Sequence, residues 1–119
     1  MTQNILINNS HGRDDIEKAT IAMTIANVAS SKDGQTMMFL TGQGIYLATK
    51  DGSDGMHLKG YRSVGELRDS YVANGGRFWV CKACADAYGL TADDLIECAA
   101  LAGASDTIAY LQNGGQLLM

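Results

Sequence analysis

Arg77-Phe78-Trp79-Val80-Cys81-Lys82-Ala83-Cys84 joins two kinds of structure within one short run. Phe78, Trp79 and Val80 are aromatic or β-branched and follow the turn signal Gly75-Gly76, which predicts a buried core strand. From Lys82 the chain changes to Ala-Cys-Ala-Asp-Ala-Tyr, mostly residues that favour or tolerate a helix. Cys81 therefore stands where a strand ends and a helix begins. Backbone N–H groups at a helix start favour nearby negative charge, and Lys82 adds a positive one, so the position favours thiolate over thiol. The bland alternative is a pair of small core hydrophobes, since free cysteine is among the most buried residue types. C-x-x-C at a strand end favours the chemical reading.

Working outward, strands and helices alternate. Asn4–Asn8 reads as a first strand, followed by the polar loop Asn9-Ser10-His11-Gly12-Arg13. Asp14 and Asp15 supply the N-cap and first-turn carboxylates of a helix running to about Ser31, with Ile16, Ala19, Met23, Ala26 and Ala29 on one face. Gln35–Leu40 predicts a second buried strand, Thr41–Gly44 a turn and Ile45–Ala48 a short helix. Lys50–Gly60 is the least structured stretch and reads as a mobile surface loop or a lid. Ser63 with Glu66 forms a capping box for a helix that stops at Asn74-Gly75-Gly76. After the Cys81 junction, Gly89 closes a short helix and Thr91-Ala92-Asp93-Asp94 opens another turn. Ile96–Ala102 predicts a fourth strand, Ser105-Asp106 starts a last helix, and Gln116–Met119 can form a terminal strand.

Alternation of this kind implies one domain over 1–119 with a mostly parallel, roughly five-stranded sheet and helices on both faces. Ligands in such sheets bind at the carboxyl ends of the strands. The loops there hold His11, Gly42, Gly44 and Cys81, which are expected to share one edge. With 119 residues, one core is the expectation.

Composition narrows the function classes. The net charge is −4, and no basic run occurs, so nucleic acid is not an expected partner. No apolar stretch approaches the roughly 18 residues of a membrane span. Met1–Leu6 lacks the basic start and apolar core of a signal peptide, so a cytoplasmic, thiol-reducing setting is expected. Three cysteines in that setting point to catalysis, metal or redox chemistry.

Three collinear stretches, Asn8–Asp15, Phe39–Ala48 and Asn74–Cys84, together with Gly89–Ile96, resemble the DsrE-like family, of the DsrE/DsrF/TusD sulfur-relay type. The resemblance implies a three-layer α/β/α sandwich and homo-oligomers, trimers or hexamers. It implies a sulfurtransferase-like carrier that takes sulfur from a donor protein as a cysteine persulfide and passes it to an acceptor protein. The active cysteine of the family matches Cys81. Cys84 departs from those carriers, which have a small apolar residue there, and leaves three roles open: resolving thiol, disulfide partner or packing residue.

Other chemistries compete. His11 can donate a hydrogen bond or a proton to the sulfur, or it can simply hold its loop together. Cys81 and Cys84 fit a thiol–disulfide redox protein, but the chain has no proline, and a thioredoxin-like site needs a cis-proline opposite its cysteines. Zinc on Cys81, Cys84 and Cys98 with His11 or His57 lacks a second closely spaced ligand pair, so no metal is expected. Cys98 reads as core. Gly42-x-Gly44 lacks the third glycine of a dinucleotide fingerprint, so no cofactor is expected. A non-catalytic homo-oligomeric subunit is the remaining reading, with Ile45-Tyr46-Leu47 exposed as its interface.

Overall fold

A computed structural model describes residues 4–119. Five strands form one all-parallel sheet in the order β4-β3-β2-β1-β5. They are β1 (Ile5–Asn9), β2 (Thr36–Leu40), β3 (Arg77–Cys81), β4 (Ala99–Ala102) and β5 (Gln116–Leu118). The helices are α1 (Ile16–Ser30), α2 (Val64–Ala73), α3 (Lys82–Ala87) and α4 (Ala104–Gln112), with a 3-10 helix at Gly42–Ala48. The expected α/β fold is present.

Strand alternation sorts side chains onto the two faces. Ile7, Met38 and Phe78 are in register and fully buried. Phe78 packs edge-on against Tyr71 of α2, at 5.0 Å between ring centroids. Ala19, Ala22, Met23 and Ala26 of α1 join the same core, and their small size lets α1 lie close to the sheet. Trp79, one residue on, points to the other face and meets Tyr110 of α4 at 5.8 Å. Right-handed crossovers explain the division. The chain steps from β1 to β4 in one direction, with α1 and α2 on one face and Ala85 of α3 in the same core cluster. It then returns across the sheet to β5, which puts α4 on the opposite face.

The layers are unequal. α4 is a single nine-residue helix, and Phe39 and Trp79 beneath it stay half-exposed. Ile108, Leu117 and Leu118 are exposed.

Several expectations change. Lys50–Gly60 is a mostly exposed surface loop anchored at two points: Met56 and Ser53 are buried, and the Val64 N–H donates to the Met56 carbonyl at 2.9 Å. One apolar side chain in a polar run is enough to anchor it. Ile45 and Leu47 are fully buried in the core, so they do not form an exposed patch. They face inward because the turn is a 3-10 helix laid against the sheet. Only Asp15 caps α1, accepting from the Lys18 N–H; Asp14 turns back into the loop before it. The fourth strand is confined to Ala99–Ala102, because Ile96 instead donates its N–H to the Ala48 carbonyl.

Candidate functional site: a thiol pair at the strand ends

Because every strand is parallel, all carboxyl ends lie along one edge. Cys81 is the last residue of β3, in register with Ala102 of β4, and it is also the N-cap of α3. Cys84 follows on the first turn of that helix. Both are free thiols and half-exposed. β2 runs beside β3, so the turn after Leu40 arrives at the same place. There the Gly42 N–H donates to Cys84 Sγ at 3.3 Å. Gly42 has φ +51, a left-handed conformation that glycine adopts at little cost.

Electrostatics act on Cys84. The Gly42 N–H is the largest single influence and pulls its pKa down. Burial, the hydrogen bond to Cys81 and the charge of Cys81 together push it up, and the net direction is up. Cys84 thus holds its proton more tightly than an ordinary thiol. No first-turn hydrogen bond reaches the Cys81 side chain. The backbone donor expected at Cys81 from the helix start is instead delivered to Cys84, from a different loop.

A sequence model described as the DsrE/DsrF-like family matches residues 3–119. The chain belongs to the DsrE/DsrF-like family. It is 28% identical over 107 residues to uncharacterized protein MJ0760 of Methanocaldococcus jannaschii; the match covers 90% of this chain but only 39% of that relative. Two solved structures share the fold. MTH1491 from Methanobacterium thermoautotrophicum superposes with a TM-score of 0.69 at 14% identity, covering 99% of this chain and 98% of that one. The ychN protein from E. coli gives 0.67 at 13% identity, with the same coverage.

In this DsrE/DsrF-like chain the other predicted site residues lie along the same edge, with the Gly42–Gly44 turn packed against the His11 loop. His11 follows β1, two strands from Cys81, or about 10 Å across the sheet. Its ring lines a separate cavity of about 280 Å³ with Lys18, Ile21 and Met119. Asp14 holds it, with Oδ2 2.9 Å from His11 Nδ1 and Oδ1 accepting from the Gly12 N–H at 2.8 Å. The Gly12 bond first, and His11 second, hold the Asp14 carboxyl below its ordinary pKa. Asp14 was not singled out as more than a helix-start residue; its spacing three after a loop histidine was the available signal. Gly44 is needed for close approach, since a Cβ there would lie 2.5 Å from the Asn9 carbonyl oxygen. Lys82 is exposed on the first turn of α3. Arg68 was missed altogether: it donates to the carbonyls of Leu47 at 3.1 Å and Thr49 at 2.7 Å, pinning the 3-10 helix that carries Gly42.

Cys98 lies just before β4, at the opposite edge of the sheet from the thiol pair. It is half-buried beside Arg68 and Arg77 in a groove of about 600 Å³. Burial, the largest influence, pushes its thiol pKa up. Among the described residues, no three His, Cys, Asp or Glu side chains are grouped to hold a metal ion. No described helix is long and apolar enough to cross a membrane.

Proposed function

We propose that this chain is an intracellular persulfide carrier, with Cys81 as the sulfur acceptor and Cys84 as its local proton donor. The observation that carries this reading is the pairing itself. Cys84 is held by the Gly42 N–H and its pKa is raised, whereas Cys81 ends β3 at the start of α3; this supports Cys84 as the supporting sulfur and Cys81 as the attacking one. The Cys81 thiolate attacks the outer sulfur of a donor persulfide. The donor's S–S bond breaks, its electron pair leaves on the donor thiolate, and a new persulfide remains on Cys81. Transfer onward repeats the exchange with an acceptor thiol, and neither step has a net oxidant. Donor and acceptor are proteins or small thiols of the reducing cytoplasm.

The same pairing supports a second reading, a Cys81–Cys84 thiol–disulfide couple, because the two free cysteines stand three residues apart at one strand-to-helix junction. The unequal layers support self-association as a trimer or hexamer. Half-exposed Phe39 and Trp79, with exposed Ile108 and Leu117, leave apolar surface that a second copy can cover.

Cyanolysis separates these readings. After incubation with a persulfide donor and desalting, the carrier releases about one thiocyanate per chain, and Cys81→Ser releases none. A wild type that yields a Cys81–Cys84 disulfide and no thiocyanate supports the redox couple and overturns the carrier.

A further inference from the structure

The 3-10 helix Gly42–Ala48 meets α3, the helix that carries Cys84, at two places. Its first residue, Gly42, donates its N–H to Cys84 Sγ at 3.3 Å. Four residues on, the Tyr46 ring packs against Tyr88, the C-cap of α3, at 5.9 Å between centroids. The far end of the helix lies roughly 12 Å from Gly42, at about 2.0 Å per residue. There the Ala48 carbonyl accepts from the Ile96 N–H at 2.8 Å, and Thr49 bridges to Leu95. The guanidinium of Arg68, half-buried on α2, donates to three carbonyls at that end: Leu47 at 3.1 Å, Thr49 at 2.7 Å and Lys50 at 3.4 Å. Carbonyls at a helix end lack partners inside the helix, and a fixed planar fork of donors suits several of them at once. Among the described residues Arg68 makes no ion pair, so these carbonyls are what its charge is spent on.

We propose that Arg68 is a positioning residue for the thiol pair: by gripping the far end of the 3-10 helix, it keeps the Gly42 N–H seated on Cys84 Sγ. It touches neither sulfur and acts through the helix. The inference rests on the carrier reading, which makes that pair the working site, and adds a residue of α2 to its control. Ile45 and Leu47 bury the middle of the helix in the core, but apolar packing is not directional and does not fix how the helix slides or turns. Hydrogen bonds do, and at the far end the Arg68 fork supplies three of them. The Gly42 contact needs that control, because a hydrogen bond weakens steeply as its donor swings off line. A small rotation of the helix unseats it.

The experiment reads the pH profile of Cys84 alkylation by iodoacetamide, followed by peptide mass spectrometry, in wild type, Arg68→Met, Arg68→Lys and Asn74→Ala. The Gly42 N–H favours thiolate at Cys84, and thiolate is the reacting form. With the grip gone, Arg68→Met moves the profile to higher pH and slows Cys84 about threefold or more at pH 8. Arg68→Lys keeps the charge but replaces the fork by a point donor, so it slows Cys84 in the same direction, by about twofold. Asn74→Ala cuts the tie at the other end of α2, a donation to Ser30 Oγ at 3.2 Å, and keeps the wild-type profile. That control separates loss of the grip from a general loosening of α2. A wild-type profile in either Arg68 variant overturns the proposal, and so does an equal shift in Asn74→Ala. If Arg68→Met does not fold, as judged by near-UV circular dichroism, Arg68→Lys decides alone. Sulfur loading is followed in parallel. No loading in wild type ends the carrier reading, while the alkylation profiles still judge Arg68.

Discussion

The backbone N–H of Gly42 reaches across from the end of β2 to Cys84 Sγ on α3, at 3.3 Å. This contact joins two strand ends and sets which sulfur of the pair is held. Cys84 retains its proton despite that donor, because burial and the adjacent Cys81 sulfur outweigh it.

Removing Cys81 should therefore release Cys84. In Cys81→Ala the neighbouring hydrogen bond and charge are gone, while the Gly42 donor, which favours thiolate, remains. The thiolate fraction of Cys84 rises at pH 8, and its alkylation by iodoacetamide, followed by peptide mass spectrometry, speeds up severalfold. An unchanged Cys84 rate contradicts the coupling.

Asp14 gives a pH signature. Its folded pKa lies below the ordinary 3.8, so its contribution to stability is present above that value and is lost as pH falls through the folded value. Wild type should exceed Asp14→Asn in urea midpoint at neutral pH, with the gap closing below about pH 3.8. A gap that does not narrow at all as pH falls below about 3.8 contradicts the assignment.

Gly44 should not tolerate a methyl group. A Cβ at this site meets the Asn9 carbonyl oxygen at 2.5 Å and the His11 nitrogen at 3.2 Å, both backbone atoms that cannot swing aside. Gly44→Ala is expected to cost about 1–3 kcal/mol in urea unfolding. A loss under about 0.5 kcal/mol, the range of an ordinary surface change, contradicts the close packing of the two loops.

Much of this was legible in the residues. Short apolar runs marked β1 and β2, an aromatic and β-branched run after Gly75-Gly76 marked β3, and the capping residues Asp15 and Ser63 marked helix starts that are present. The strand-end position of Cys81 followed from the change of composition at Lys82. What was not legible depends on contacts between distant segments. A backbone N–H binding a sulfur 42 residues away leaves no pattern in sequence. Nor does the burial of Met56 within a polar run, or Arg68 spanning to the Leu47 and Thr49 carbonyls. β4 was overextended because alanine-rich segments carry little information about strand ends. His11 lies on the same sheet edge as the thiols, and only the strand order shows that it stands two strands along from Cys81.

The most direct measurement locates the sulfur itself. Reduced wild type, Cys81→Ser, Cys84→Ser and Cys98→Ser are incubated with a persulfide donor, alkylated, digested and read by peptide mass spectrometry. One added sulfur on Cys81 in every protein except Cys81→Ser is the predicted result. Wild type with no added sulfur, or with the sulfur on Cys84 or Cys98, contradicts Cys81 as the acceptor.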